Sequence, residues 1–180
     1  DLRYKAEWRL AEYTITMDLD GGSGQEKVVY TITDEDFELP TPTRNGYEFV
    51  GWTGEGITEP QKTIEIPQGS TGDRTYTANW QVIEYTIITL LEGGNAGSSQ
   101  VYFYTVEQTV TLPTPTRTGY TFLGWTGEGI TTPQPNVTIP KGSTGDKKYI
   151  ENWELTEYNI TMDLNGGSGQ EKVVYTITDE

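Results

Sequence analysis

The chain has 180 residues, 27 acidic against 12 basic side chains, a formal net charge of −15, and neither Cys nor His. This balance argues against nucleic acid and anionic membrane surfaces, both of which are bound through clustered Lys and Arg, and the missing Cys excludes disulfides and thiolate metal sites. No run approaches the roughly 20 apolar residues of a membrane helix, and with hydrophobic residues at only 33% several small cores are expected rather than one large core.

In chain order, Tyr13, Ile15, Met17 and Leu19 alternate with polar residues, the period of a half-buried strand. Asp20-Gly21-Gly22-Ser23-Gly24 reads as a hairpin turn, and Val28, Tyr30 and Ile32 as the apolar side of the return strand. Thr33 to Phe37 has the capping and acidic residues of a helix of one or two turns. Leu39-Pro40-Thr41-Pro42 must be extended, because each Pro restricts itself and its predecessor. A third strand covers Tyr47 to Trp52, followed by a Gly-rich loop from Thr53 to Pro60. Thr63 to Ile66 reads as a short edge strand ended by Pro67, Gly69 to Asp73 as a turn, and Tyr76, Ala78 and Trp80 as the apolar side of a last strand. The parity then changes between Val82 and Tyr85, so a break is expected near Val82 and Ile83.

The same pattern then repeats. Residues 39–80 align with 112–153 at an offset of 73 (112 − 39) without a gap, and 29 of those 42 positions are identical. Residues 12–35 align with 157–180 at an offset of 145 (157 − 12), differing only at Thr14/Asn159 and Asp20/Asn165. The middle copy keeps Gly93-Gly94 and carries a small insertion after it. The organisation is therefore the last strand of a preceding copy at 1–8, full copies at 12–80 and 84–153, and the first hairpin of a further copy at 157–180. Neither partial copy can complete a core of its own.

The early strand with its Gly-Gly turn, the P-T-R-x-G-Y-x-F-x-G-W segment and the closing Tyr76-Thr77-Ala78-Asn79-Trp80 resemble the Listeria–Bacteroides repeat family, the B-repeat type of internalin-like surface proteins. The second copy departs slightly, closing on Tyr149-Ile150-Glu151-Asn152-Trp153. The resemblance covers nearly the whole chain. It implies a mainly β (α+β) fold of tandem, small, β-grasp-like (ubiquitin-like) modules with at most a short helix each. It further implies an extracellular, cell-wall-attached bacterial surface protein, stalk and adhesion roles, and no catalytic residues or cofactors.

Candidate chemistry is sparse. Without His or Cys the common nucleophile–base pairs are missing, and the acids that recur within a motif, Glu55/Glu128 and Asp73/Asp146, fall in Gly-rich turns that lack the burial needed to tune a catalytic carboxyl. Asp18 to Gly24 offers oxygen ligands for a hard cation, but the middle copy keeps only Glu92, so a solvated hairpin tip is the better reading and no metal is assigned. Lys27 and Lys172, candidates for a Lys–Asn crosslink, are read as solvent-facing strand residues that discourage edge pairing. Trp52 does not share the parity of Tyr47 and Phe49. Either it faces outward, where it would stack on sugars, or a bulge at Gly51 turns it inward, and a module this small needs it inside.

The expected cores are Leu39, Tyr47, Phe49, Trp52, Tyr76 and Trp80 in one copy and Leu112, Tyr120, Phe122, Trp125, Tyr149 and Trp153 in the next. The expected function is a non-catalytic stalk or spacer that projects a distal domain. The alternative is an adhesion module that binds host glycan or matrix protein through a recurring exposed loop. Only Thr53, Gly54, Glu55, Gly56, Ile57 and Thr58, with Thr126, Gly127, Glu128, Gly129, Ile130 and Thr131, qualify as that loop. Neither nucleic acid nor membrane insertion is expected, and head-to-tail contacts through the partial copies are a further expectation.

Overall fold

The computed structural model describes residues 2–91 and 99–178, so Gly93-Gly94 and the insertion after it lie outside the described residues. Among these residues the chain forms strands and turns, with no helix. It divides into two units, Asp1–Ile83 and Glu84–Glu180.

The first unit contains β1 (Tyr13–Asp18), β2 (Lys27–Tyr30), β3 (Phe37–Glu38), β4 (Tyr47–Gly54), β5 (Ile57–Gln61), β6 (Glu65–Ile66) and β7 (Arg74–Val82). Five of them form a sheet in the order β2-β1-β7-β4-β5. β1 and β7 run parallel at its centre, Met17 opposite Tyr76, and the other neighbours are antiparallel. β3 and β6 form a separate two-stranded ribbon, and Leu39 N–H donates to Ile64 O at 2.9 Å beside it. One cluster unites the inward residues of the sheet (Ile15, Met17, Tyr76, Ala78) with Leu39, Ile64 and Ile66 from the ribbon and its flanks. Burial of these alternate positions stabilises the sheet, at about 25 cal/mol per Å² of apolar surface.

The bulge decides where Trp52 goes. Phe49 pairs with Trp80 and Gly51 with Asn79, so Val50 is the extra residue of a β-bulge. The bulge inverts the parity of β4, and Trp52 is fully buried. Phe49 lies between two indoles in edge-to-face contact, its centroid 5.3 Å from Trp52 and 5.5 Å from Trp80. In the second unit Trp125 is buried as well, and Phe122 makes the same contacts with Trp125 and Trp153 at 5.4 and 5.1 Å. Tyr47, Trp80, Tyr120, Phe122 and Trp153, expected in the cores, are only half-buried. They sit towards the end of the sheet where β4 and β11 begin.

Three other expectations are corrected. The helix at 33–37 is a tight turn, in which Asp34 accepts from Thr31 N–H at 2.8 Å. A helix cap accepts from residues that follow it, whereas this bond points backwards, and Phe37 is drawn into β3 opposite Ile66. Thr53 to Pro60 is not a loop but the meeting of β4 and β5. Residues 2–8 form no strand, and Tyr4 and Trp8 are each 91% exposed. Their counterparts Tyr76 and Trp80 lie on β7, which has a pairing strand on both sides.

The second unit repeats the plan with β8 (Glu84–Leu91), β9 (Gln100–Thr105), β10 (Val110–Thr111), β11 (Tyr120–Gly127), β12 (Ile130–Gln134), β13 (Thr138–Ile139) and β14 (Lys147–Leu155). The sheet order is β12-β11-β14-β8-β9, with β8 and β14 parallel and β10 and β13 paired in a ribbon. β15 (Tyr158–Thr161) and β16 (Lys172–Tyr175) form a separate hairpin. Its Ile160 and Tyr175 are 49% and 40% exposed, although their counterparts Ile15 and Tyr30 are core residues.

Candidate functional site

The recurring T-G-E-G-I-T segment is the tip of the β4–β5 hairpin, and of β11–β12 in the second unit. Glu55 and Gly56 both have positive φ (44° and 81°), as do Glu128 and Gly129 (46° and 82°). Such a pair of values belongs to a type I′ turn, whose twist matches that of the flanking strands.

Most of the segment has an internal task. A Cβ on Gly54 would lie 2.3 Å from Thr75 O, and one on Gly127 the same distance from Lys148 O, so β7 and β14 pass too close for any side chain. The Glu55 carboxylate accepts from Thr75 N–H at 3.1 Å, and Glu128 from Lys148 N–H at 3.2 Å. Each supplies the acceptor that the backbone no longer offers once β4 or β11 has turned away. Thr53 Oγ1 accepts from Asn79 Nδ2 at 3.0 Å, and Thr126 Oγ1 from Asn152 Nδ2 at the same distance. Ile57 and Ile130 are half-buried against their cores. Gly56 and Gly129 serve only the turn, and Thr58 and Thr131 are exposed without such a task. Glu55 and Ile57 line an open groove together with Ile64, Asp73, Arg74 and Tyr76.

Sequence reasoning missed Asn79 and Asn152. Asn79 Nδ2 also donates to Gly51 O at 3.1 Å, and Asn152 Nδ2 to Gly124 O at 3.1 Å, which latches each bulge to the strand opposite. The signal was present in the sequence, in the Asn before the closing Trp of both full copies. Arg44 and Arg117 were also passed over. Their guanidinium carbons stand 4.0 and 3.6 Å from the ring centroids of Tyr47 and Tyr120, a cation–π contact in each copy.

The second pair of recurring acids closes the modules. Asp73 Oδ1 accepts from Thr14 N–H at 2.7 Å and Asp146 Oδ1 from Thr86 N–H at 2.8 Å. Beside them Tyr30 OH donates to Gly72 O, and Tyr104 OH to Gly145 O, both at 2.6 Å. The turn before the last strand is thus tied to both strands of the first hairpin, so turn propensity alone does not account for Asp73. The hydrogen bond from Thr86 N–H holds the Asp146 carboxyl below its ordinary value.

The remaining candidates are placed as follows. Asp18 Oδ1 accepts from Asp20 N–H at 3.0 Å, and Asp20 lies 3.6 Å from Arg44, so both acids take part in the hairpin tip's own contacts. Among the described residues no group of three or more acids is arranged to hold a metal. Lys27 is exposed on β2, the edge of its sheet.

The two units differ inside. Ala78 and Met17 are replaced by Glu151 and Thr89, both buried. Burial pushes the Glu151 carboxyl above its ordinary value, while the hydrogen bond from Trp153 Nε1 and the charge of Arg117 act the other way. Glu151, Trp125, Tyr102 and Gln100 line an open groove with the stretch from Pro113 to Thr116.

The Listeria–Bacteroides repeat domain model matches twice, over residues 13–81 and 85–148. Two proteins of Evansella cellulosilytica, whose names provisionally class them as membrane proteins, the second as Gly-rich, are each 28% identical over 163 and 173 residues. Each alignment covers 91% of this chain but only 24% and 18% of the relative. Internalin H of Listeria monocytogenes is 29% identical over 114 residues, 63% of this chain and 20% of that protein. The chain thus spans about a quarter or less of the length of the relatives it matches. Two successive matches that together take in most of the sequence place this chain in the Listeria–Bacteroides repeat family.

Proposed function

We propose that the repeats are non-catalytic spacer modules of a bacterial cell-surface protein, extracellular and attached to the cell wall. One observation carries the reading. Four of the six positions in the recurring T-G-E-G-I-T segment bond or pack within their own module and Gly56 serves the turn, so its recurrence needs no ligand. Short joints support it as well. Only Ile83 separates β7 from β8, and its N–H is bound to Gly46 O at 2.9 Å. At the next joint Thr156 N–H is bound to Gly119 O at 2.9 Å. A spacer gains reach from connections without slack chain. The surface location is drawn from the relatives, which include an internalin and proteins named for a membrane.

Each module also reads as a helix-free form of the β-grasp arrangement, with one hairpin on either side of a central last strand that runs parallel to the first. Catalysis has no support from the recurring acids, since both pairs are spent on backbone N–H groups. Head-to-tail contact through the partial copies is a proposal of the same kind, favoured by the exposed apolar residues of β15 and β16.

The test places the chain between a cell-surface anchor and a reporter binding domain. Removal of one full copy should shorten the reporter's reach, and Thr58→Gly with Thr131→Gly should change neither its reach nor its binding. The adhesion reading would replace this one if the chain alone bound host glycan or matrix protein and those two substitutions abolished the binding.

A further inference from the structure

The outer faces of the two five-stranded sheets are built from equivalent positions but differ in character. In the first unit the outward residues near the β2 edge are Lys27 and Val29 on β2, Thr16 and Asp18 on β1, and Thr77 on β7. In the second unit the same places hold Val101 and Phe103 on β9, Ile88 and Leu90 on β8, and Ile150 on β14. Val101 is 51% exposed and Phe103 58%.

The edge itself differs too. β2 and β16 are four residues long and begin with Lys27 and Lys172, whereas β9 has six residues, Q-V-Y-F-Y-T, without a formal charge. β9 pairs with β8 over six successive positions without a register shift. The opposite edge strand, β12, carries Pro133, which blunts it. An edge strand that is long, regular and uncharged offers a row of backbone groups to another strand.

We propose that β9 is a self-association edge, to which the β9 of a second copy of this chain adds as an antiparallel strand. Charge selects the occupant. At −15 the copies repel one another, yet β9 brings no charged side chain to the contact. An equivalent pairing of β2 with β2 would set Lys27 opposite Val29 and diagonal to the second copy's Lys27, so no aromatic–β-branched pair would form and two like charges would be brought to the contact. The sequence of β9 is also self-complementary. A two-fold axis at Tyr102 places Val101 opposite the second copy's Phe103 on both sides of the axis, an aromatic–β-branched pair of the kind that stabilises cross-strand contacts. Pairing in this register joins the two outward apolar faces along one continuous sheet.

The experiment is sedimentation equilibrium of the whole chain at low and high salt, beside Val101→Lys, which restores the residue type of the other copies at an exposed position. Val29→Lys on β2 is the control, and Phe103→Lys is a second variant. A dimer that tightens as salt screens the net repulsion is expected, with Val101→Lys and Phe103→Lys each weakening it at least tenfold and Val29→Lys leaving it unchanged. A strict monomer at high concentration and high salt would overturn the proposal. So would a dimer indifferent to Val101→Lys and Phe103→Lys, since the contact would then lie elsewhere, as in the head-to-tail case. Association that weakens with salt would equally overturn it, because that is the behaviour of oppositely charged surfaces.

Discussion

At the scale of single residues, the two Trp positions of each module have different work. Trp52 is fully enclosed, and its Nε1 has no hydrogen-bond partner among the described residues, as is also true of Trp125. Trp80 is half-buried, but its Nε1 donates to Leu19 O at 3.0 Å and ties the first hairpin to the last strand. Size and burial should outweigh the stranded donor. Trp52→Ala is expected to cost about 3–5 kcal/mol, the usual range for a large buried aromatic. Trp80→Ala should cost about 2 kcal/mol, for partial burial and one hydrogen bond. Urea unfolding of the two variants, followed by circular dichroism, would show the order, and a larger loss for Trp80→Ala would contradict the burial argument.

At the scale of elements, the bulge and the hairpin tip act as one device. The bulge at Val50 and Gly51 turns Trp52 inward, Asn79 latches it, and three residues after Trp52 β4 reverses through Glu55 and Gly56. Gly54 and Gly56 separate two reasons for glycine. Gly54 is needed because β7 passes against it, whereas Gly56 has open space around it and only a positive φ. Gly56→Ala is therefore expected to cost about 1–2 kcal/mol, the penalty of a left-handed Ala. Gly54→Ala should cost about 3 kcal/mol or more, because strands must separate as well. Denaturant midpoints of the two variants provide the measurement, and equal losses would remove the close-approach argument.

At the scale of the whole molecule, the units share a plan but not a core. The second buries Thr89 and Glu151 where the first buries Met17 and Ala78, so it is expected to melt first in calorimetry. Its pH dependence follows from two carboxyls. Glu151 has a raised folded-state value, so its desolvation cost is absent in acid and grows as pH rises past 4.5 towards that raised value. Glu151→Gln should thus raise the melting temperature of this unit at pH 7 by more than at pH 4. A uniform shift at both values would show that ionisation is not the cause. Asp146 has the opposite sign. The stability from its bond to Thr86 is complete above 3.8 and disappears as pH falls through its lowered folded-state value.

What the sequence determined by itself was the local and periodic content of the fold. The repeat spacing, the strands of alternating polarity, the turns marked by Gly and Pro and the inward choice for Trp52 are carried by residues close to one another in the chain. The conflict of parity around Gly51 was legible as a bulge because a strand has a fixed period of two. The T-G-E-G-I-T segment was legible as recurrent, but its use was not. Tertiary structure decided the parallel pairing of β1 with β7, the replacement of the helix by a turn and the strand pairing across the supposed loop. It also decided what Glu55, Asp73 and Asn79 bind. Asp73 meets Thr14 across 59 residues, Asn79 meets Gly51 across 28 and Glu55 meets Thr75 across 20. The acceptor that completes a given backbone N–H depends on the register between distant strands, and packing of the whole module sets that register.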